Sequence, residues 1–150
     1  MRPFLLGAPL LAVILLAACS SDDEGGGKMN VVLREWAIDT DVSSLPEGDI
    51  EFEVKNEGPD EDHEMVIIRT DLAPDKLPTR DDGSVDEKAG GVNAVKEIQE
   101  FEAGRRSGAT FTLDPGKYVL ICNLVDEHDG EKMVHYQKGM RTAFTVTAGP

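Results

Sequence analysis

An all-β fold, an antiparallel sandwich or barrel, is what this sequence predicts. Three observations lead there: short segments in which apolar and polar residues alternate, turn residues between most of them, and no convincing amphipathic helix. The 150 residues suffice for one domain with a real core and are too few for two comfortable ones. No internal repeat is visible.

Along the chain, residues 1–18, "MRPFLLGAPLLAVILLAA", place Arg2 before an apolar run and small residues ahead of Cys19, the layout of an export signal. The run falls short of the roughly 20 apolar residues that a membrane span needs. The polar, Gly-rich residues 19–28 read as a flexible tether, so the folded domain is expected over residues 29–150. "MNVVLREWAI" suits a strand, with Trp36 read as a core residue rather than a binding platform. In "DIEFEVKN", Ile50, Phe52 and Val54 alternate with charged residues, the period of a half-buried strand. "HEMVIIRT" is apolar enough for an inner strand starting near His63. Residues 71–97 then form a long surface excursion rich in turn residues, with room for a short helical turn around Asp86 to Ala89. "KEIQEFEAG" and "GATFTLDPGKYVLICN" supply further strands, the latter pair joined at Asp114, Pro115 and Gly116. In the last of these Tyr118, Leu120 and Cys122 share one face, Val119 and Ile121 the other. "RTAFTVTAG" closes the chain.

The ending "LAAC" resembles the lipobox of bacterial lipoproteins, which implies a lipidated Cys19 as the first mature residue, palmitate-type acylation included, on the extracytoplasmic face of a bacterial membrane. Removal of residues 1–18 takes away one Arg and no acid, so the net charge moves from −14 to −15. Such an acidic chain lacks the cationic surface that nucleic acid requires. Commitment of Cys19 to lipid leaves Cys122 with no internal disulfide partner. A lone thiol in an oxidising compartment calls for protection, and a metal is one candidate.

Several catalytic patterns fail. "HEMVI" has Ile67 where a zinc-protease helix needs its second His, no GxSxG elbow exists, and no Gly-rich loop leads to Lys and Ser or Thr. No enzymatic activity is expected, and no catalytic residue is assigned. What remains is the stretch "LICNLVDEHDGEKMVHYQKGM", with one Cys, two His and two Met. A thiolate from an inner strand, an imidazole and a thioether from the following loop, and an imidazole from another strand would form one soft site. Two His and one Cys in a plane with a weak axial Met select copper.

These residues carry a resemblance. "EGDIEFEVKNEGPDEDHEMVI", "PGKYVLIC" and "HYQKGM" resemble the cupredoxins, the blue type 1 copper family, over nearly the whole span from Met29 to Thr147. The resemblance implies a cupredoxin-like antiparallel Greek-key β-sandwich with a long loop insertion. It also implies one mononuclear copper held by His63, Cys122, His135 and Met140, and one-electron exchange with a redox protein partner. By the same resemblance His135 would be the ligand exposed at the molecular edge, where electrons enter. The acids of the 123–134 loop would favour a partner with a basic docking face, and a monomer is expected. Two departures stand out. Twelve residues separate Cys122 from His135 where the family has a few, and Glu64 follows the first His where an Asn is common. An alternative pair, His128 and Met133, repeats the same His-to-Met interval closer to Cys122. Other readings of the same residues are a copper-binding delivery or homeostasis lipoprotein without redox turnover, a copper enzyme with an open coordination position, and a metal-free sandwich used for adhesion or assembly.

Overall fold

The computed structural model describes residues 25–149. The expected export signal and the expected lipidation site Cys19 lie outside the described residues. In chain order the elements are β1 (Gly26–Arg34), β2 (Ala37–Thr40), β3 (Ser44–Pro46), β4 (Gly48–Asn56), β5 (His63–Arg69) and β6 (Asn93–Phe101). They continue with β7 (Arg106–Leu113), β8 (Gly116–Ile121), β9 (Val125–His128), β10 (Glu131–Val134), α1 (His135–Lys138) and β11 (Arg141–Thr147).

Two sheets face each other, one in the order β2-β1-β4-β7 and the other in the order β3-β11-β8-β5-β6. Most neighbours are antiparallel, but β1 runs parallel to β4 and β3 parallel to β11. β1 begins at Gly26, where Gly26, Gly27 and Lys28 pair with Asp49, Ile50 and Glu51. The last residues of the expected tether therefore belong to the sheet.

Alternation in the sequence becomes one-sided burial. Ile50, Phe52 and Val54 of β4 meet Met65 and Ile67 of β5 and Tyr118, Leu120 and Phe144 of the opposite sheet in one core cluster. Each such side chain contributes about 1.5–3 kcal/mol by leaving water. Val66, Ile68, Val119 and Ile121 point the other way and pack under Leu77, Val85 and Val92. Residues 70–92 thus roof the outer face of β5 and β8. This is why "MVII" reads as continuously apolar: the strand is buried on both faces. The excursion has no helix at Asp86 to Ala89, only a turn in which Ala89 N–H donates to the Asp86 carbonyl at 3.0 Å.

Two expectations change at the end of the sandwich where β5 begins and β8 ends. "MNVVLREWAI" is a hairpin rather than one strand: Arg34 pairs with Ala37, and Glu35 and Trp36 form the turn. The 123–134 segment is itself a hairpin, β9 with β10, in which His128 pairs with Glu131 around Asp129 (φ 51°) and Gly130 (φ 80°). An Asp-Gly pair with both φ positive is the two-residue turn whose twist matches that of antiparallel strands.

Candidate metal centre

His63 opens β5 beside the end of β8, and Cys122 follows that end directly. The loop before His63 is pinned by Asn56, a fully buried side chain. Its Nδ2 donates to the carbonyls of Glu61 (2.9 Å) and Phe101 (3.1 Å), and its Oδ1 accepts from Gly58 N–H (2.8 Å). All its hydrogen-bonding capacity toward the loop is thereby used, which is what makes burying an amide tolerable.

The other donors come from α1 and the residues after it. His135 N–H donates to the Leu124 carbonyl and Met140 N–H to the His135 carbonyl, both at 3.1 Å. Cys122 N–H donates to the Met140 carbonyl at 3.2 Å, tying the two ends of the segment together. Gly139 makes this turn possible. Its φ is 133°, and a Cβ there would stand 2.7 Å from the Trp36 carbonyl oxygen, closer than such contacts allow.

The result is one cluster. His63 Nδ1 and His135 Nδ1 are 3.2 Å apart, and Cys122 Sγ lies 3.9 Å from the first and 3.3 Å from the second. His63, Cys122, His135 and Met140 are all 0% exposed. One ion with bonds of about 2.0–2.3 Å would touch both nitrogens and the sulfur at these separations. Electrostatics agree with such a role. Burial, followed by the neighbouring His135, pushes the His63 pKa down to about 4. Burial also lowers that of His135 against the opposing pull of Asp126. Both rings are therefore neutral and keep a lone pair for a metal at physiological pH. Burial pushes the Cys122 thiol up to about 12, so a proton protects the sulfur until a cation displaces it. The donors fit one copper ion: two imidazoles and a thiolate converge, and a buried thioether lies next in chain.

The alternative pair is placed elsewhere. His128 is exposed at the end of β9 and its Nε2 meets Glu61 Oε2 at 3.2 Å, while Met133 sits on β10 opposite Asp126. His128 is exposed and Met133 only half-buried, unlike the four fully buried donors. The expected exposure of His135 is overturned as well. The β9–β10 hairpin covers this ring, and Asp126 Oδ2 lies 2.8 Å from its Nε2, off the N–H axis.

Three further residues surround the cluster, and of these the sequence singles out Glu64, as a departure from the family pattern. Asn123 accepts from Val85 N–H (2.6 Å) and donates to the Val85 carbonyl (3.1 Å) and Glu87 (2.8 Å), locking the excursion to the centre. Glu64 accepts from Asn123 N–H at 3.1 Å, and burial pushes its pKa up to about 7. Trp36, half-buried at the β1–β2 turn, sets its ring edgewise to His135 and His63, with centroids 4.9 and 6.5 Å away. Nothing in "REWA" marks Glu35 and Trp36 as a turn, and the contacts of the other two span dozens of residues.

No protein-family model matches the sequence, and no curated protein matches it. Solved structures do. Auracyanin B aligns at a TM-score of 0.50 with 21% identity over 83% of this chain and 89% of its own. The sodium-dithionite-reduced auracyanin of Roseiflexus castenholzii aligns at 0.48, with 18% identity over 84% and 98%. Auracyanin A, described as a blue copper protein of Chloroflexus aurantiacus, aligns at 0.47, with 15% identity over 83% and 100%. The fold is the cupredoxin β-sandwich, as the auracyanin B likeness shows.

Proposed function

We propose that this protein is a mononuclear copper electron carrier whose copper would be held by His63, Cys122, His135 and Met140. The observation that carries the reading is the convergence of two neutral imidazole nitrogens and one thiol sulfur inside a fully buried cluster. Copper, when bound, would supply the one-electron change between its cupric and cuprous states. The chain's own part is to hold the donors in place. Asn56 fixes the approach to His63, and the α1 turn fixes His135 and Met140. Donors held by backbone hydrogen bonds in this way would change little between oxidation states, which keeps reorganisation small.

The reading extends to location and partner. The lipobox-like sequence at Cys19 supports a lipid anchor on the extracytoplasmic face of a bacterial membrane. The net charge supports a redox protein partner with a basic docking face. Complete burial of all four donors weighs against a delivery protein, which needs a site that a recipient's ligands can invade. Nor does a sealed site favour an enzyme.

The test is addition of cupric ion to the metal-free protein. An intense visible charge-transfer band at one equivalent, lost in Cys122→Ala, is the expected outcome. A weakly coloured complex whose copper a chelator strips at once would favour delivery instead.

A further inference from the structure

His135 has been moved indoors. Its ring is 0% exposed, α1 carries it behind the β9–β10 hairpin, and Asp126 occupies the space beside its outward nitrogen. His63, Cys122 and Met140 are equally enclosed. A carrier with every ligand sealed still needs a contact through which an electron can leave, because electronic coupling decays steeply across empty or saturated gaps. Among the described residues, one aromatic side chain pairs with both ligand rings and also reaches solvent: Trp36, the single tryptophan of the chain. Its position is well supported. The Trp36 carbonyl packs against Gly139 between α1 and Met140, and the Lys138 ammonium lies 5.7 Å from the indole centroid.

We propose that Trp36, and not the loop histidine, is the electron port of this protein, and that the redox partner docks over the β1–β2 turn. The inference rests on the copper reading above. With copper bound, the His135 and Trp36 rings would carry one electron outward to a one-electron acceptor protein, so that the metal would go from cuprous to cupric as the acceptor is reduced by one. No proton moves. The surroundings of the port give the partner's chemistry. Glu35 Oε1 accepts from Asp60 and Glu61 N–H at 2.8 and 2.7 Å, which holds the acidic 60–62 loop beside the turn. Lys138 is the cation against the indole. The fitting partner has a cationic rim around its redox group.

The experiment uses the cuprous protein, oxidised by the cationic complex tris(phenanthroline)cobalt(III), with growth of the blue band followed by stopped flow. Trp36→Leu is expected to keep the band and slow oxidation about tenfold, equivalent to about 1.4 kcal/mol of barrier. Trp36→Phe, which keeps an aromatic contact, is expected to restore most of the rate. An independent readout needs no electron transfer. Redox-inert hexaamminechromium(III) added to the cuprous protein should broaden the Trp36 indole and Asp60 NMR signals ahead of those of Asp129 and Gly130 at the hairpin tip. An unchanged rate in Trp36→Leu, or a rate that falls only in Asp126→Asn, would overturn the port, as would broadening confined to the hairpin. If the wild-type protein never turns blue, the copper reading itself is overturned and the port with it.

Discussion

The β9–β10 hairpin and the α1 turn offer the same chemistry at the same interval, a His with a Met five residues on, and only one of them delivers it to the buried cluster. His128 stands exposed at the end of β9, where its imidazole pairs with the half-buried carboxylate of Glu61. His135 opens a single helical turn whose backbone is bonded to Leu124 on one side and, through Met140, to Cys122 on the other. Spacing along the chain therefore does not decide which pair is buried. That depends on which segment can satisfy its backbone polar groups against the end of the sandwich.

This contrast can be broken most visibly through metal-linked stability. Copper at a thousandfold excess over its dissociation constant should stabilise the protein by about 4 kcal/mol. Thermal unfolding of His128→Ala should keep that gain, whereas His135→Ala should lose nearly all of it.

The two glycines of the segment sharpen the comparison further. Both have positive φ, 80° at Gly130 and 133° at Gly139, but a Cβ at Gly130 meets nothing while one at Gly139 meets the Trp36 carbonyl. Gly130→Ala should cost about 1 kcal/mol, from backbone strain alone. Gly139→Ala should cost about 3 kcal/mol or more, since neither backbone segment can move freely. Urea unfolding of the metal-free protein would measure both.

A smaller effect separates the neighbours His63 and Glu64. The lowered His63 pKa means that the unfolded chain binds more protons than the folded one between about 4 and 6.5, so this group makes metal-free stability rise with pH there. The raised Glu64 pKa does the reverse between 4.5 and about 7, where the folded protein binds the extra proton. The two oppose each other over the shared window. Glu64→Gln should leave the histidine contribution uncompensated, steepening the rise with pH by about 1 kcal/mol per unit between about 4.5 and 6.5.

Much of this molecule can be read from residue order. Alternation at Ile50, Phe52 and Val54 and the face-splitting of Tyr118, Leu120 and Cys122 from Val119 and Ile121 reappear as the two core clusters. These are period-two patterns, and burial of one face enforces them. Trp36 packs against the core as its composition suggests, but no Gly, Pro or Asn in "REWA" marks the two-residue turn that carries it. The hairpin carries its own signal in Asp129-Gly130, yet local turn chemistry says nothing of where a hairpin docks. Covering His135 depends on how the hairpin just before it folds back over the ring, and the Glu64 and Asn123 hydrogen bonds join segments distant in sequence. Such contacts leave no periodic trace.

The choice between the two pairs, on which the rest depends, is tested most directly by the visible spectrum of the cupric protein in two variants. His128→Ala combined with Met133→Leu should keep the wild-type band in position and intensity, and His135→Ala should lose it. A band that survives His135→Ala and vanishes in the double variant would contradict the assignment and return the site to the hairpin.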